Sequence, residues 1–193
     1  MDIITDFNDP KLQQLLMNYG VGVLPTDTQY GLVGKALSVT VVEKIYALKG
    51  RSADKPLIIL ISELSDLDTF FVTLTKNERE FLEENWPAQL SAILSCNQPD
   101  LTYLHRGTNS LAFRLPDHPD LVQLIKTVGP LVAPSANLER EEPASTIKQA
   151  QDYFKDQVDF YVDGGALISP PSTLIQFVDH SIEIIREGAY SLR

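Results

Sequence analysis

The sequence KGRSADKPLIIL, residues 49–60, joins a cationic turn to an apolar run. The run continues to Ile61, and its unbroken hydrophobic character is typical of a strand that is covered on both faces. In the turn, Lys49, Arg51 and Lys55 lie within seven residues. Converging cations of this kind bind phosphate oxygens through charge-assisted hydrogen bonds. Taken alone, however, three basic residues in a turn are more often a solvated loop.

Helical and strand patterns alternate on both sides of this segment, which predicts an α/β fold with helices around a twisted, mixed sheet. Asp9 and Pro10 indicate the start of a helix that closes at Gly20 and has Tyr19 on its apolar face. The predicted helices cover residues 10–20, 39–49, 76–85, 118–128 and 146–154. The predicted strands lie within residues 21–25, 57–61, 89–95, 109–116, 131–137, 160–162, 173–177 and 182–186, and residues 26–34 are predicted as a loop.

Composition indicates an ordinary globular chain, because 44% of its 193 residues are hydrophobic and 22% are charged. We expect one domain over residues 1–193. Cys96 is the only cysteine, so an internal disulfide is excluded and a zinc site is not expected. The N-terminus lacks a cationic segment followed by an apolar one, and no apolar run approaches the ~18 residues of a membrane span. The predicted location is therefore cytoplasmic, without membrane association.

The formal net charge of −10 argues against a broad nucleic-acid surface. Strong non-specific binding to nucleic acid requires roughly 6–10 phosphate contacts from basic side chains. We therefore expect weak or no direct nucleic-acid binding, and any basic site must be local.

Familiar nucleotide and hydrolase motifs do not fit this sequence. Gly20-Val21-Gly22 precedes a strand and lacks the third glycine of a dinucleotide fingerprint. The segment at residues 31–36 has neither the spacing nor the hydroxyl residue of a P-loop. Ser135 has no nucleophile-elbow context and no evident histidine partner. These motifs therefore suggest no function.

A set of loops that follow strands or helices carries small hydroxyls and cations along the chain. They are PTDTQYG, KGRSADK, AFRLPDHP, APSAN, DGG…PST and IIREG. In this order and combination, from about Val21 to Gly188, they resemble the YrdC-type family of threonylcarbamoyl-adenylate synthases, in its single-domain form. The resemblance implies a YrdC-like fold with an open basic cavity. It also implies an enzyme that makes threonylcarbamoyl-AMP and pyrophosphate from L-threonine, bicarbonate and ATP, a step in tRNA modification.

This resemblance assigns roles to residues that suit the chemistry. It implies that ATP is bound with Mg²⁺, without protein metal ligands, and that Lys49 and Arg51 are the catalytic residues and face the phosphates. It further implies partner proteins that act in tRNA modification. The residues implied to bind ATP are Lys49, Arg51, Lys55, Ser110, Ser135, Asn137 and Arg186, and those implied to bind threonine are Thr28, Arg114 and Ser172.

Arg114 lies between Phe113 and Leu115 on a predicted strand, so it points to the opposite face from its apolar neighbours. A buried arginine there requires an anionic partner. The resemblance implies that this partner is the carboxylate of the amino-acid substrate. A structural carboxylate of the protein is the alternative. His118 is interpreted as part of a helix start.

The sequence departs from the family at several positions, so other functions stay open. The family's WPGPxT appears as WPAQLS, residues 138–146 replace a shorter loop, and Leu60 stands where many members have a histidine. One alternative is a related enzyme that uses carbamoyl phosphate or another amino acid. A second alternative is a nucleotide- or RNA-binding module without turnover.

Overall fold

A mixed ten-stranded sheet organises the part of the chain that the structure describes. The structure is a computed structural model, and it describes residues 3–50, 52, 56–179 and 181–192. The strands are β1 (Ile3–Ile4), β2 (Gly22–Pro25), β3 (Tyr30–Lys35), β4 (Ile58–Leu60), β5 (Leu90–Ser95), β6 (Ser110–Arg114), β7 (Leu131–Val132), β8 (Phe160–Val162), β9 (Thr173–Val178) and β10 (Ser181–Arg186). Their order across the sheet is β1-β8-β2-β3-β7-β4-β6-β5-β9-β10.

The α-helices pack against this sheet, and all of them except α4 begin at a residue whose side chain caps the helix. They are α1 (Pro10–Met17), α2 (Val39–Lys49), α3 (Lys76–Asn85), α4 (Thr102–His105), α5 (Pro119–Val128) and α6 (Ile147–Phe154). The Ser38 side chain accepts from the Val41 N–H at the start of α2, and Gly50 ends that helix with a left-handed φ of 60°. At the start of α5, His118 Nδ1 accepts from the Leu121 N–H at 3.3 Å, which confirms its role in the helix start.

Two apolar clusters sandwich the central strands, and this confirms the α/β prediction. Val23 and Ile59 pack into one cluster with residues of α2, α3 and α6. Their neighbours Leu24 and Leu60 pack into the other cluster with residues of α1 and α5. Because successive side chains of a strand point to opposite faces, a strand with helices on both sides must be apolar throughout. The unbroken run at residues 57–61 has this origin.

Some sequence-based predictions were wrong in detail. Residues 30–35 form strand β3 instead of a loop, because Tyr30, Leu32 and Val33 are fully buried in spite of the flanking glycines. Helix α1 ends at Met17, and Tyr19 is 60% exposed, not on the apolar face. The two-residue strand β1 and the 3₁₀ helix Leu64–Phe70 were not predicted, because such short elements leave little periodicity in the sequence.

A substitution at Gly22 tests the packing of β2 against β8. Strand β2 leads directly into the loop at residues 26–29. A Cβ atom at Gly22 would lie 2.4 Å from Cδ2 of the buried Phe160 ring. We expect Gly22→Ala to lower the free energy of unfolding by about 1–3 kcal/mol, measured by urea denaturation, because overpacking displaces the ring. Phe160→Leu removes ring atoms, so the double variant should lose less than the sum of the two single losses. Additive losses would contradict this account.

Candidate active site

A cavity of about 350 Å³ is lined by residues of the sheet and of the loops beside it. Strands β3, β4, β5, β6, β9 and β10 all contribute lining residues, together with loop residues near 26–29, 56–57, 108, 133–135 and 171–172. Pockets of several hundred cubic ångströms with a few convergent polar groups are typical binding sites. The polar or charged side chains of the lining belong to Thr26, Thr28, Gln29, Tyr30, Thr108, Ser110, Arg114, Ser135, Ser172 and Arg186.

The cavity brings together Thr28, Ser110, Arg114, Ser135, Ser172 and Arg186 from widely separated parts of the sequence. The open basic cavity that we expected is not shown by the described lining, in which Arg114 and Arg186 are the cations and the other residues are neutral. Arg51 and Lys55 lie outside the described residues. Lys49 and Asn137 are described but do not belong to the cavity lining.

The loop before β3 is organised by the hydroxyl of Thr26. This hydroxyl donates to the Gln29 carbonyl at 2.7 Å and accepts from the backbone N–H of Thr28 at 3.2 Å. The Thr26 and Thr28 hydroxyls lie 3.2 Å apart, and both residues are 4% exposed. Side-chain to backbone bonds of this kind fix a turn. Thr28 is therefore held in a defined position at the cavity wall.

Arg114 is buried at the cavity wall and has a carboxylate partner within the protein. Its Nη2 lies 3.1 Å from Oδ1 of Asp27, and the two side chains are 4% and 2% exposed. Nη2 also donates to Thr26 Oγ1 at 3.3 Å. The structure thus contains the structural carboxylate that was the alternative to a substrate carboxylate. Arg114 still lines the cavity, so the internal partner does not remove it from the site.

Burial moves both members of this pair toward their neutral forms. Desolvation raises the pKa of Asp27, and the nearby Arg114 charge opposes that rise. Desolvation lowers the pKa of Arg114, Asp27 opposes the shift, and the positive charge of Arg186 lowers it further. Both guanidinium groups line the cavity, and the positive charge of Arg186 disfavours the protonated form of Arg114. An anion between them would relieve this repulsion.

Ser172 and Arg186 form a second wall of the cavity. Arg186 donates from Nη2 to the Ser172 carbonyl at 2.8 Å and to its hydroxyl at 3.3 Å. The Ser172 hydroxyl lies 2.8 Å from that of Ser91, and both serines are buried. Ser110, at the start of β6, lines the same cavity beside Thr108, whose hydroxyl it contacts at 3.3 Å.

Lys49 lies under the turn at residues 135–137. The lysine is 3% exposed, and its Nζ donates to the Ser135 carbonyl at 2.5 Å and to the Asn137 carbonyl at 2.8 Å. A third bond reaches Asn137 Oδ1 at 3.1 Å, and this oxygen also accepts from the Ser135 hydroxyl at 2.7 Å. An ammonium group has three donors. These three bonds fix the turn that carries Ser135 to the cavity.

Asp27 and Gln89 are site residues that the sequence reasoning missed. Asp27 lies inside the quoted PTDT segment, but an acidic residue did not fit an expected anion site. Gln89 was noted as a departure from the family, and in the structure its side-chain amide donates to the Asp27 carbonyl. The signal that was available for Asp27 was the requirement of a buried arginine for an anion.

No metal-binding cluster or membrane span appears in the described ranges. Within residues 3–50, 52, 56–179 and 181–192, no group of three or more His, Cys, Asp or Glu side chains is placed to hold a metal ion. The helices in these ranges are all too short or too polar to cross a membrane.

The comparisons with known proteins agree with this architecture. Residues 14–188 match the Sua5/YciO/YrdC family, which is described as telomere recombination, and the chain belongs to this family. It is 33% identical over 187 residues to a threonylcarbamoyl-AMP synthase of Bacillus subtilis, and the alignment covers 94% of this chain and 54% of that protein. The chain thus spans about half the length of that relative.

Solved structures show the same fold. Pyrococcus abyssi Sua5 complexed with L-threonine superimposes with a TM-score of 0.89 and 26% identity, over 97% of this chain and 58% of that one. Escherichia coli YciO superimposes with a TM-score of 0.84 and 24% identity, over 98% of this chain and 95% of that one. These matches confirm the predicted mixed α/β fold and the resemblance to the YrdC-type family.

The buried position of Lys49 generates a prediction about stability. Lys49→Met leaves buried carbonyl oxygens without charged donors, so we expect the free energy of unfolding to fall by about 2–4 kcal/mol. Lys44→Met is the matched control on the same helix, because Lys44 forms a half-exposed ion pair with Asp159 and should contribute about 0–1 kcal/mol. The free energy of unfolding of both variants is measured by chemical denaturation. An equal decrease in the two variants would show that the hydrogen bonds of Lys49 contribute no more to stability than the ion pair of Lys44.

Proposed function

We propose that this chain catalyses the synthesis of threonylcarbamoyl-AMP and pyrophosphate from L-threonine, bicarbonate and ATP, for tRNA modification. One observation carries the proposal: the cavity holds two arginines and several hydroxyls in a fold that matches a Sua5 structure complexed with L-threonine. The 33% identity to a threonylcarbamoyl-AMP synthase supports the same reaction.

The reaction needs positioning more than it needs a protein nucleophile. The amine of threonine combines with bicarbonate to give a carbamate and water. A carbamate oxygen then attacks the α-phosphorus of ATP, and the bond to the leaving pyrophosphate breaks. The protein accelerates such a displacement by aligning the reactants and by stabilising negative charge.

In this proposal, Arg114, Thr28 and Ser172 bind the amino acid. Arg114 would pair with its carboxylate, because the guanidinium lines the cavity and keeps N–H donors beyond the bond to Thr26. The hydroxyls of Thr28 and Ser172 line the same cavity and would contact the polar groups of the amino acid. Charge-assisted hydrogen bonds of this kind contribute about 1.5–3 kcal/mol each.

The remaining predicted residues are proposed to bind the nucleotide. Ser110, Ser135 and Arg186 line the cavity and offer a hydroxyl or a guanidinium to phosphate oxygens. Asn137 and Lys49 lie behind Ser135, so we propose that they act on the nucleotide by holding the Ser135 turn. Arg51 and Lys55 remain proposed phosphate contacts from the sequence.

The described lining does not fit a resident metal ion. No acidic side chain belongs to the described cavity lining. Mg²⁺ in proteins is usually bound by one or two carboxylates, waters and substrate phosphates. We propose that Mg²⁺ enters as the partner of ATP, held by the triphosphate and water, and no step above is routed through it.

The test of the proposed function is pyrophosphate release with single omissions. The purified chain is incubated with ATP, Mg²⁺, L-threonine and bicarbonate, and each component is omitted in turn. We expect release only when all components are present, with threonylcarbamoyl-AMP as the product in mass spectrometry. Release that needs carbamoyl phosphate, or another amino acid, would replace this function by one of the related reactions. RNA binding without any turnover would support the non-catalytic alternative.

Arg114 and Arg186 should have separable effects on the two substrates. We expect Arg114→Ala to raise the KM for L-threonine at least tenfold, since a lost charged hydrogen bond costs about 1.5–3 kcal/mol. Arg186→Ala should mainly raise the KM for ATP. Arg79→Ala, which removes an exposed arginine of α3, is the matched control and should change neither constant. The assignment is wrong if Arg114→Ala changes only the KM for ATP.

A further inference from the structure

The buried pair of Arg114 and Asp27 leaves part of the arginine's hydrogen-bonding capacity unused. Nη2 of Arg114 lies 3.1 Å from Asp27 Oδ1, but this oxygen accepts no hydrogen bond, and Arg114 Nε has no partner among the described residues. A bidentate arginine–carboxylate pair would use two parallel N–H donors. The pair therefore places the two charges together without the geometry that would saturate the guanidinium.

Asp27 itself is fixed from two directions. Its Oδ2 accepts from the backbone N–H of Asp117 at 3.1 Å. Its carbonyl accepts from the side-chain amide of Gln89. The Gln89 carbonyl in turn accepts from the Thr173 N–H at 3.0 Å, which ties this residue to β9. Asp27 is thus held between the loop before β5 and the loop after β6, and it lies outside the cavity lining.

We propose that Asp27, held by Gln89, is a positioning residue for Arg114. It fixes the guanidinium at the cavity wall, so that the donors of Arg114 on the cavity side are presented to the carboxylate of the amino-acid substrate, while Nε stays buried. This inference rests on the proposed function, since it names the residue that prepares the amino-acid site. Asp27 acts through Arg114 and does not touch the substrate.

A simpler role for Asp27 is neutralisation of a buried positive charge, and the two roles predict opposite results. If Asp27 were only a counter-charge, its removal would leave Arg114 more attractive to an anion, and the substrate carboxylate would bind more tightly. If Asp27 positions Arg114, its removal frees the guanidinium to rotate and substrate binding weakens. The sign of the change in threonine affinity therefore separates the two roles.

Gln89 makes this arrangement particular to the chain. The family resemblance places a proline at this position, and proline has no side-chain donor. Here the amide side chain donates to the backbone carbonyl of Asp27, and Gln89 itself does not belong to the described cavity lining. Gln89 variants consequently test the positioning of Asp27 without removing a charge from the protein.

The experiment compares Asp27→Asn and Gln89→Ala with the control Gln123→Ala, which changes an exposed residue of α5. Asparagine keeps the shape of Asp27 and an acceptor for the Asp117 N–H, but it removes the charge. We expect Asp27→Asn to raise the KM for L-threonine roughly tenfold, with the KM for ATP unchanged within about twofold, because misplacing a binding group is costly. Gln89→Ala should give a smaller rise of about threefold, and the double variant should show less than the product of the two effects.

A second measurement does not depend on turnover. In the ¹⁵N-labelled, ligand-free protein, the Arg114 Nε–H signal is assigned by its loss in Arg114→Lys. We expect this signal to be sharp and slowly exchanging in the wild type and in Gln123→Ala, and broadened or lost in Asp27→Asn. If the wild type shows no threonine-dependent turnover but Asp27→Asn still loses the signal, the proposed function fails while the positioning of Arg114 stands.

Two results would overturn the inference. The first is an Asp27→Asn variant with a lowered or unchanged KM for L-threonine, since a lowered KM fits a counter-charge and an unchanged KM shows that Asp27 does not position Arg114. The second is an Arg114 Nε–H signal that is the same in the wild type, Asp27→Asn and Gln89→Ala. If Asp27→Asn does not fold, Gln89→Ala decides alone: a raised KM for L-threonine with an altered Arg114 signal supports positioning, and wild-type values overturn it.

Discussion

Burial of the central strands on both faces is the constraint on which the rest of the structure depends. Strand β4 has Ile59 in one apolar cluster and Leu60 in the other, so helices must cover both sides of the sheet. Six of the strands, from both halves of the chain, also contribute residues to the cavity lining. Pairing in one sheet thus holds together cavity residues that are far apart in the sequence.

Two buried cations, one at the cavity wall and one behind it, are held by protein oxygens at a cost in desolvation. Lys49 donates to three oxygens of the turn at residues 135–137, and Arg114 lies beside Asp27. Taking charges out of water costs several kcal/mol per ion, so such groups persist only where partners are in place. The consequence for function is rigidity, because a buried and bonded cation cannot swing toward solvent. Substrates then meet a wall whose geometry is already set.

Two arginines line the cavity of a chain that is acidic overall. The chain carries a formal net charge of −10, yet the described cavity lining has two arginines and no acidic side chain. The Asp27 carboxylate lies outside this lining, with Oδ1 3.1 Å from Nη2 of Arg114. Long-range attraction of anions is weak for such a molecule. Discrimination must therefore come from contacts at short range, which suits small substrates that are bound in a cavity.

Local sequence signals determined much of the fold. The caps at Ser38, at Thr75 and at His118 act through the backbone of their own helix, and two-sided burial makes the run at residues 57–61 apolar. Strand β3 was predicted as a loop because of its glycines. It forms a strand because its side chains are buried in the assembled sheet. The resemblance to the family predicted that six residues belong to one site, and the structure places all six around one cavity: Thr28, Ser110, Arg114, Ser135, Ser172 and Arg186.

Only the tertiary structure decided what these side chains contact. In the structure, Lys49 bonds to the Ser135 carbonyl, Arg114 pairs with Asp27, and Gln89 bonds to the Asp27 carbonyl. These partners are 86, 87 and 62 residues apart in the sequence, so no local pattern predicts the contacts. The sequence determined which residues are available for binding anions. The long-range packing of the sheet determined which of them line the cavity and which of them support its wall.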